Sequence, residues 1–193
     1  MRSRHHSGSR ATLSDWARQP GDRRVELIDG VLVEKAAPDF PHGEAQGGVL
    51  VQVREPFHRP SGGDGGPGGW WIAPEVDVQL GESVFRPDIA GWRRATLPEK
   101  PTERPVRARP DWLCEVLSES NASTDSVRKL RLYHRAGVPH YWIVDPATRT
   151  LTVFRWAEEG YLNILVAEVT ERVRAEPFDA VEFDVGRLFG LED

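Results

Sequence analysis

The chain has 193 residues, 39% of them hydrophobic and 28% charged, which is long enough for one domain with a real core and excludes a disordered chain. Its net charge of -5 argues against a large nucleic-acid footprint, which relies on clustered positive charge, but leaves room for a local basic groove. No apolar run is long enough to span a bilayer, the basic N-terminus lacks the apolar core of a secretory signal, and the single cysteine, Cys114, excludes an internal disulfide and fits a reducing cytoplasm.

Residues 1–10 read as a flexible tail, and one domain is expected over the chain with its core at about 12–188. Residues 11–19 can form a first helix, capped by Thr12 or Ser14, with Trp16 on its inner face. In "RRVELIDGVLVEK" the dipeptide Asp29-Gly30 separates two apolar stretches and predicts a hairpin whose first strand carries Glu26. His42, Gln46, Val49, Leu50 and Val53 recur at helical spacing, so residues 42–57 read as a helix weakened by Gly47 and Gly48. The run "SGGDGGPGG" is a surface loop.

"WWIAPEVDVQL" and "VFRPDIAGWRRA" read as two strands joined by "GES", and residues 95–110, with four prolines among charges, as an extended loop. "WLCEV" is an apolar strand with Glu115 inside it. Residues 121–136 read as a helix capped by Ser123 or Thr124 and stopped by Gly137, with Leu130 and Tyr133 facing inward and Val127 at the edge. Strands follow at "PHYWIVD" and "TLTVFRW", and a last strand pair is expected around 161–168 and 171–174. The order is mixed α and β around one sheet, without regular βαβ alternation.

Three strand carboxylates carry the chemistry. Glu26, Asp88 and Glu115 stand where burial is costly unless the charge is paired, hydrogen-bonded or bound to a metal. If Asp88 and Glu115 converge from adjacent strands, a divalent cation relieves their repulsion, and oxygen-only ligands suit magnesium or manganese. Glu26 and Asp88 read equally well as structural partners of arginines. Asp125, Lys129 and Tyr133 share one helix face. They form either a salt bridge with a packed tyrosine, or a device that aims the Lys129 ammonium at the carboxylates. Only three residues are lysines, Lys35, Lys100 and Lys129, against 22 arginines, so each lysine poses a separate question.

"VELIDGVLVE", "HGEAQGGVL", "FRPDIAGW", "WLCEVLSESN", "DSVRKLRLYHRAGVPHYWIVDP" and "LTVFR", in that order, resemble the Uma2 family, which belongs to the PD-(D/E)XK nuclease superfamily. The resemblance implies a restriction-endonuclease-like core, a mixed central sheet flanked by helices, and a Mg2+ or Mn2+ site. It implies that Asp88 and Glu115 bind the metal, that the Val116 carbonyl joins them, and that Glu26 is the early acidic residue. The superfamily lysine two residues after the glutamate is missing, with Leu117 in its place; the Uma2 pattern puts it on the next helix, where Lys129 matches. His42 also matches a family position; it either contacts phosphate or a metal-bound water, or caps the second helix. Arg86, Arg93, Arg94 and the arginines of 104–109 are candidates for a backbone-binding groove.

The resulting expectation is a metal-dependent endonuclease acting on DNA, cytoplasmic and homodimeric by analogy with nucleases that cut both strands. Two other readings stand beside it: a non-catalytic dimerising or nucleic-acid-binding module, and a hydrolase of another phosphate ester.

Overall fold

The computed structural model describes residues 10–63, 66–118 and 124–191, without the side chains of 124–126. The expected tail up to residue 9, the tip of the glycine-rich loop at 64–65, and the Ser123 cap lie outside the described residues. Thr12 caps α1 (Leu13–Ala17) through a reciprocal box with Asp15, which settles the choice between Thr12 and Ser14. Asp29 and Gly30, both at positive φ, turn β1 (Val25–Ile28) into β2 (Val31–Glu34).

Helix α2 (Phe40–Phe57) starts two residues earlier than the periodicity predicts, because Asp39 accepts the His42 N–H and Pro41 sits in the first turn. Its two central glycines differ. A Cβ at Gly47 would meet nothing within 4 Å, whereas one at Gly48 would lie 2.6 Å from the Leu188 carbonyl. Gly48 therefore lets the closing 3₁₀ turn, Gly186–Phe189, lie directly on the helix.

The two long strands expected next are four. β3 (Trp70–Pro74) and β4 (Val78–Leu80) are separated at Glu75, a non-glycine residue at φ 54. β5 (Ser83–Phe85) and β6 (Ile89–Arg93) are separated at Arg86-Pro87-Asp88. Proline has no N–H for a ladder, so pairing stops there and the chain passes from one sheet to another. The turn between β4 and β5 falls where predicted.

β7 (Trp112–Val116) follows the proline-rich loop. α3 (Thr124–Arg135) then crosses to β8 (His140–Asp145), which pairs parallel to β7. Tyr133 is fully buried on α3, and Val127, expected on the adjoining edge, is 51% exposed. β9 (Thr150–Ala157) and β10 (Gly160–Glu168) form a long antiparallel pair. The expected pairing of 161–168 with 171–174 does not occur: β11 (Arg172–Val173) pairs with β12 (Phe183–Asp184).

The strands form a small sheet in the order β2-β1-β5-β4 and a six-stranded mixed sheet in the order β10-β9-β8-β7-β6-β3. One apolar cluster joins α2 and the C-terminal segment to the large sheet through Val49, Val53, Cys114 and Phe178. A second joins its opposite face to α3 and the small sheet through Ile28, Phe85, Leu113 and Tyr133. Trp112, Cys114 and Val116 alternate with Leu113 and Glu115 across the two faces. Glu115 thus shares the face of Leu113 and Tyr133.

Candidate active site

Five elements converge where the sheets meet. Glu26 comes from β1, Lys35 follows β2, His42 lies in the first turn of α2, Asp88 precedes β6, and Glu115 lies on β7. Lys129 and Tyr133, one turn apart on α3, reach Glu115 from above. Asp88 and Glu115 line the same small pocket, about 60 Å³, with Lys35, His42, Val116 and Lys129. That volume holds a few water-sized ligands.

Both carboxylates are buried, Asp88 completely and Glu115 to 6% exposure. Asp88 Oδ1 accepts from Lys35 Nζ at 2.6 Å and contacts His42 Nε2 at 3.2 Å. Its Oδ2 accepts the Val116 N–H at 2.7 Å. A carboxylate offers no proton, so His42 Nε2 carries the hydrogen; Nδ1 is buried without a partner. Burial opposes ionisation of Asp88, but the His42 hydrogen bond and the Lys35 charge outweigh it and hold the carboxyl well below its usual range.

Glu115 has the opposite balance. Its Oε1 accepts the Tyr133 hydroxyl at 2.6 Å and the Lys129 ammonium at 3.3 Å. Burial nevertheless dominates the Lys129 charge and pushes the carboxyl up to about 7. Lys129 also lies 3.3 Å from Glu26 Oε1, which accepts the Arg86 N–H at 2.8 Å. One ammonium therefore bridges two buried carboxylates.

Lys129 reaches the carboxylates as the functional alternative requires. His42 does not cap α2 with its side chain; Asp39 caps the helix, and the His42 ring turns to Asp88. Arg86 contributes its backbone to the site, while its guanidinium is held by both oxygens of Asp77 and lines a different cavity. That placement does not fit a substrate contact for the Arg86 side chain. Arg93 and Arg94 lie over Trp70 and Trp71, and Arg104 pairs with Asp77, so these three arginines are engaged by the fold.

Among the described residues, no group of three His, Cys, Asp or Glu side chains is disposed to hold a metal ion. A smaller donor set remains. Glu115 keeps both its hydrogen bonds on Oε1. The Val116 carbonyl projects from the same strand edge as its N–H, which faces Asp88. Magnesium keeps several waters and takes only one or two carboxylates, so Asp88, Glu115 and the Val116 carbonyl fit it.

The Uma2 family model, described as "Putative restriction endonuclease", matches residues 11–186. The chain belongs to the Uma2 family. A solved structure, a "putative nuclease belonging to DUF820" from Anabaena variabilis, superposes with a TM-score of 0.70 over 93% of this chain and 97% of that one. At 21% identity that likeness shows the fold. No curated protein matches.

Two residues of this Uma2 site escape sequence reasoning. Lys35 follows the second hairpin strand, and only the scarcity of lysine marks it. Glu75 stands between two apolar stretches that read as one strand. Its backbone N–H bonds the Asp88 carbonyl, and its Oε1 lies 3.8 Å from Lys35 Nζ.

Proposed function

We propose that the chain is a metal-dependent endonuclease that hydrolyses DNA phosphodiester bonds, with Asp88, Glu115 and the Val116 carbonyl as the Mg2+ or Mn2+ ligands. The observation that carries this reading is the convergence of Asp88 and Glu115, from adjacent regions of the large sheet, on one pocket with the Lys129 ammonium. The family description supports the nuclease class and makes DNA the expected substrate.

A divalent cation held by Asp88, Glu115 and the Val116 carbonyl would supply Lewis-acid polarisation of the scissile phosphate. The protein supplies position and charge. The Val116 N–H and His42 fix the Asp88 carboxylate in one orientation. Tyr133, kept protonated because burial pushes its hydroxyl well above the usual range, fixes Glu115. Lys129 offers a cation to negative charge developing at the phosphate, and Glu26 holds it on the far side. The edge strand β10 exposes Leu162 and Val166 and is the candidate surface for a homodimer, which light scattering would test. The single, buried thiol of Cys114 suits a reducing, cytoplasmic setting.

One observation favours the non-catalytic module. Asp88 is already satisfied at both oxygens by protein donors, and an acidic site neutralised from within needs no cation. Calorimetric titration of Mg2+ and Mn2+ into wild type and Glu115→Ala, with plasmid nicking in parallel, separates the two. Binding and nicking by wild type alone support the nuclease. Neither binding nor nicking by wild type supports the module.

A further inference from the structure

We infer that Lys35 is a resident counter-ion of Asp88 that moves to Glu75 when a divalent cation enters the pocket. The inference rests on the metal-dependent reading above and adds to it a positioning residue and its second seat.

The Lys35 side chain is 12% exposed and its ammonium makes three contacts. It donates to Asp88 Oδ1 at 2.6 Å and to the Arg86 carbonyl at 2.9 Å, and lies 3.8 Å from Glu75 Oε1. Lys35 also lines the pocket shared by Asp88 and Glu115. An ammonium touching the Asp88 carboxylate repels any cation bound to that same group, in a site where water screens little.

The charges of the pocket make the conflict definite. Glu26, Asp88 and Glu115 face the ammonium groups of Lys35 and Lys129. With all carboxylates ionised, these five described groups leave one net negative charge, which a dication overshoots. One ammonium has to find another carboxylate. Lys129 already bridges two, and moving it would strand both. Lys35 has a vacant acceptor beside it.

That acceptor is Glu75. Its Oε1 pairs with Arg24, but its Oε2 is buried and accepts no hydrogen bond. A buried carboxylate oxygen without a donor is costly. Glu75 is also one of three non-glycine residues at positive φ among the described residues, a conformation that persists only where its surroundings impose it. The strained residue holds an unfilled acceptor within a side-chain movement of Lys35. Its N–H is tied to the Asp88 carbonyl, so donor site and acceptor site keep a fixed separation.

The test is Mg2+ titration by calorimetry into wild type, Lys35→Met and Glu75→Gln, with melting curves in the absence of metal to establish that each is folded. Lys35→Met should bind Mg2+ about tenfold more tightly than wild type, the factor for about 1.4 kcal/mol of avoided displacement. Glu75→Gln should bind it more weakly. A second readout needs no variant: with three lysines in the chain, the 15N ammonium signals of wild type can be followed individually. The Lys35 signal should move on adding Mg2+ while that of Lys100 stays. Equal or weaker Mg2+ binding by Lys35→Met, or an unmoved Lys35 signal in a protein that binds Mg2+, overturns this inference and leaves the metal site standing. Absence of Mg2+ and Mn2+ binding in wild type and Lys35→Met alike overturns both.

Discussion

Lys129→Met tests whether one ammonium holds two buried carboxylates. The side chains are 5% exposed for Lys129, 3% for Glu26 and 8% for Glu115, so water does not replace the ammonium when it goes. Methionine keeps the length and the apolar stem, so the loss of packing is small. Glu26 is left with the Arg86 N–H and Glu115 with the Tyr133 hydroxyl. Removing one partner of a buried ion pair leaves an uncompensated charge and costs about 3–5 kcal/mol. In a chain of this length, each kcal/mol corresponds to about 2–4 °C, so the variant should melt roughly 6–20 °C lower. The loss should also depend on pH. Burial raises the Glu115 carboxyl to about 7 against a lowering by Lys129, so removing Lys129 raises it further. The folded variant then holds a proton that the unfolded chain sheds near 4.5. The unfolded chain is common to both proteins, so the Glu115 part of the penalty is full well above about 7 and is lost as pH falls to about 7, below which both folded proteins hold the proton. Urea unfolding of wild type, Lys129→Met, Glu26→Gln and the double variant, at about pH 8 and about pH 5, measures this, and the double variant should recover about 1 kcal/mol or more of coupling. A loss below about 1 kcal/mol at both pH values would refute the bridging argument.

Other expectations follow from single features. Glu115→Gln should remove a pH dependence: the raised carboxyl makes wild-type stability fall as pH rises from about 4.5 to about 7, so the variant should show a flatter urea midpoint across that window. Gly47→Ala should stabilise the protein by up to about 1 kcal/mol through helix propensity, whereas Gly48→Ala should destabilise it because its Cβ meets the Leu188 carbonyl; melting curves of the pair check the sign of each. Cys114 is fully buried and burial raises its thiol well above the usual value, so a disulfide reagent should label it only under unfolding conditions, and fast labelling of the native protein would contradict the burial.

Much of the site was legible because its residues break local rules. Glu115 stands in an apolar strand, and Lys129 and Tyr133 recur four apart on a helix that begins soon after it. The structure unites these three through direct contacts. Asp88 was legible only as a carboxylate after a proline. That the proline also interrupts pairing, so that the chain leaves one sheet and enters another, follows from tertiary packing that no window of sequence contains. The same blindness merged β3 with β4 across Glu75, whose positive φ no propensity anticipates. Lys35 reaches Asp88 across 53 residues, and no periodicity connects two positions that far apart. The arginines of the expected groove looked available as charges, yet Trp70, Trp71 and Asp77 occupy those whose contacts are described.

The parallel pairing of β7 with β8 divides the pocket into halves of different origin. Glu115 meets Lys129 across only 14 residues, inside one strand–helix–strand passage. Glu26 meets Arg86 across 60, and Lys35 meets Asp88 across 53, both through the β1–β2 hairpin. One half is thus assembled with the large sheet itself, while the other exists only while the hairpin stays docked. Undocking the hairpin would take Lys35 from Asp88 and separate Glu26 from the Arg86 N–H and Lys129, leaving Asp88 with His42 and the Val116 N–H, and Glu115 with Lys129. The hairpin's seat against β5 thereby acts as the latch of the pocket, and a partial opening there would dismantle the site while the large sheet is still folded.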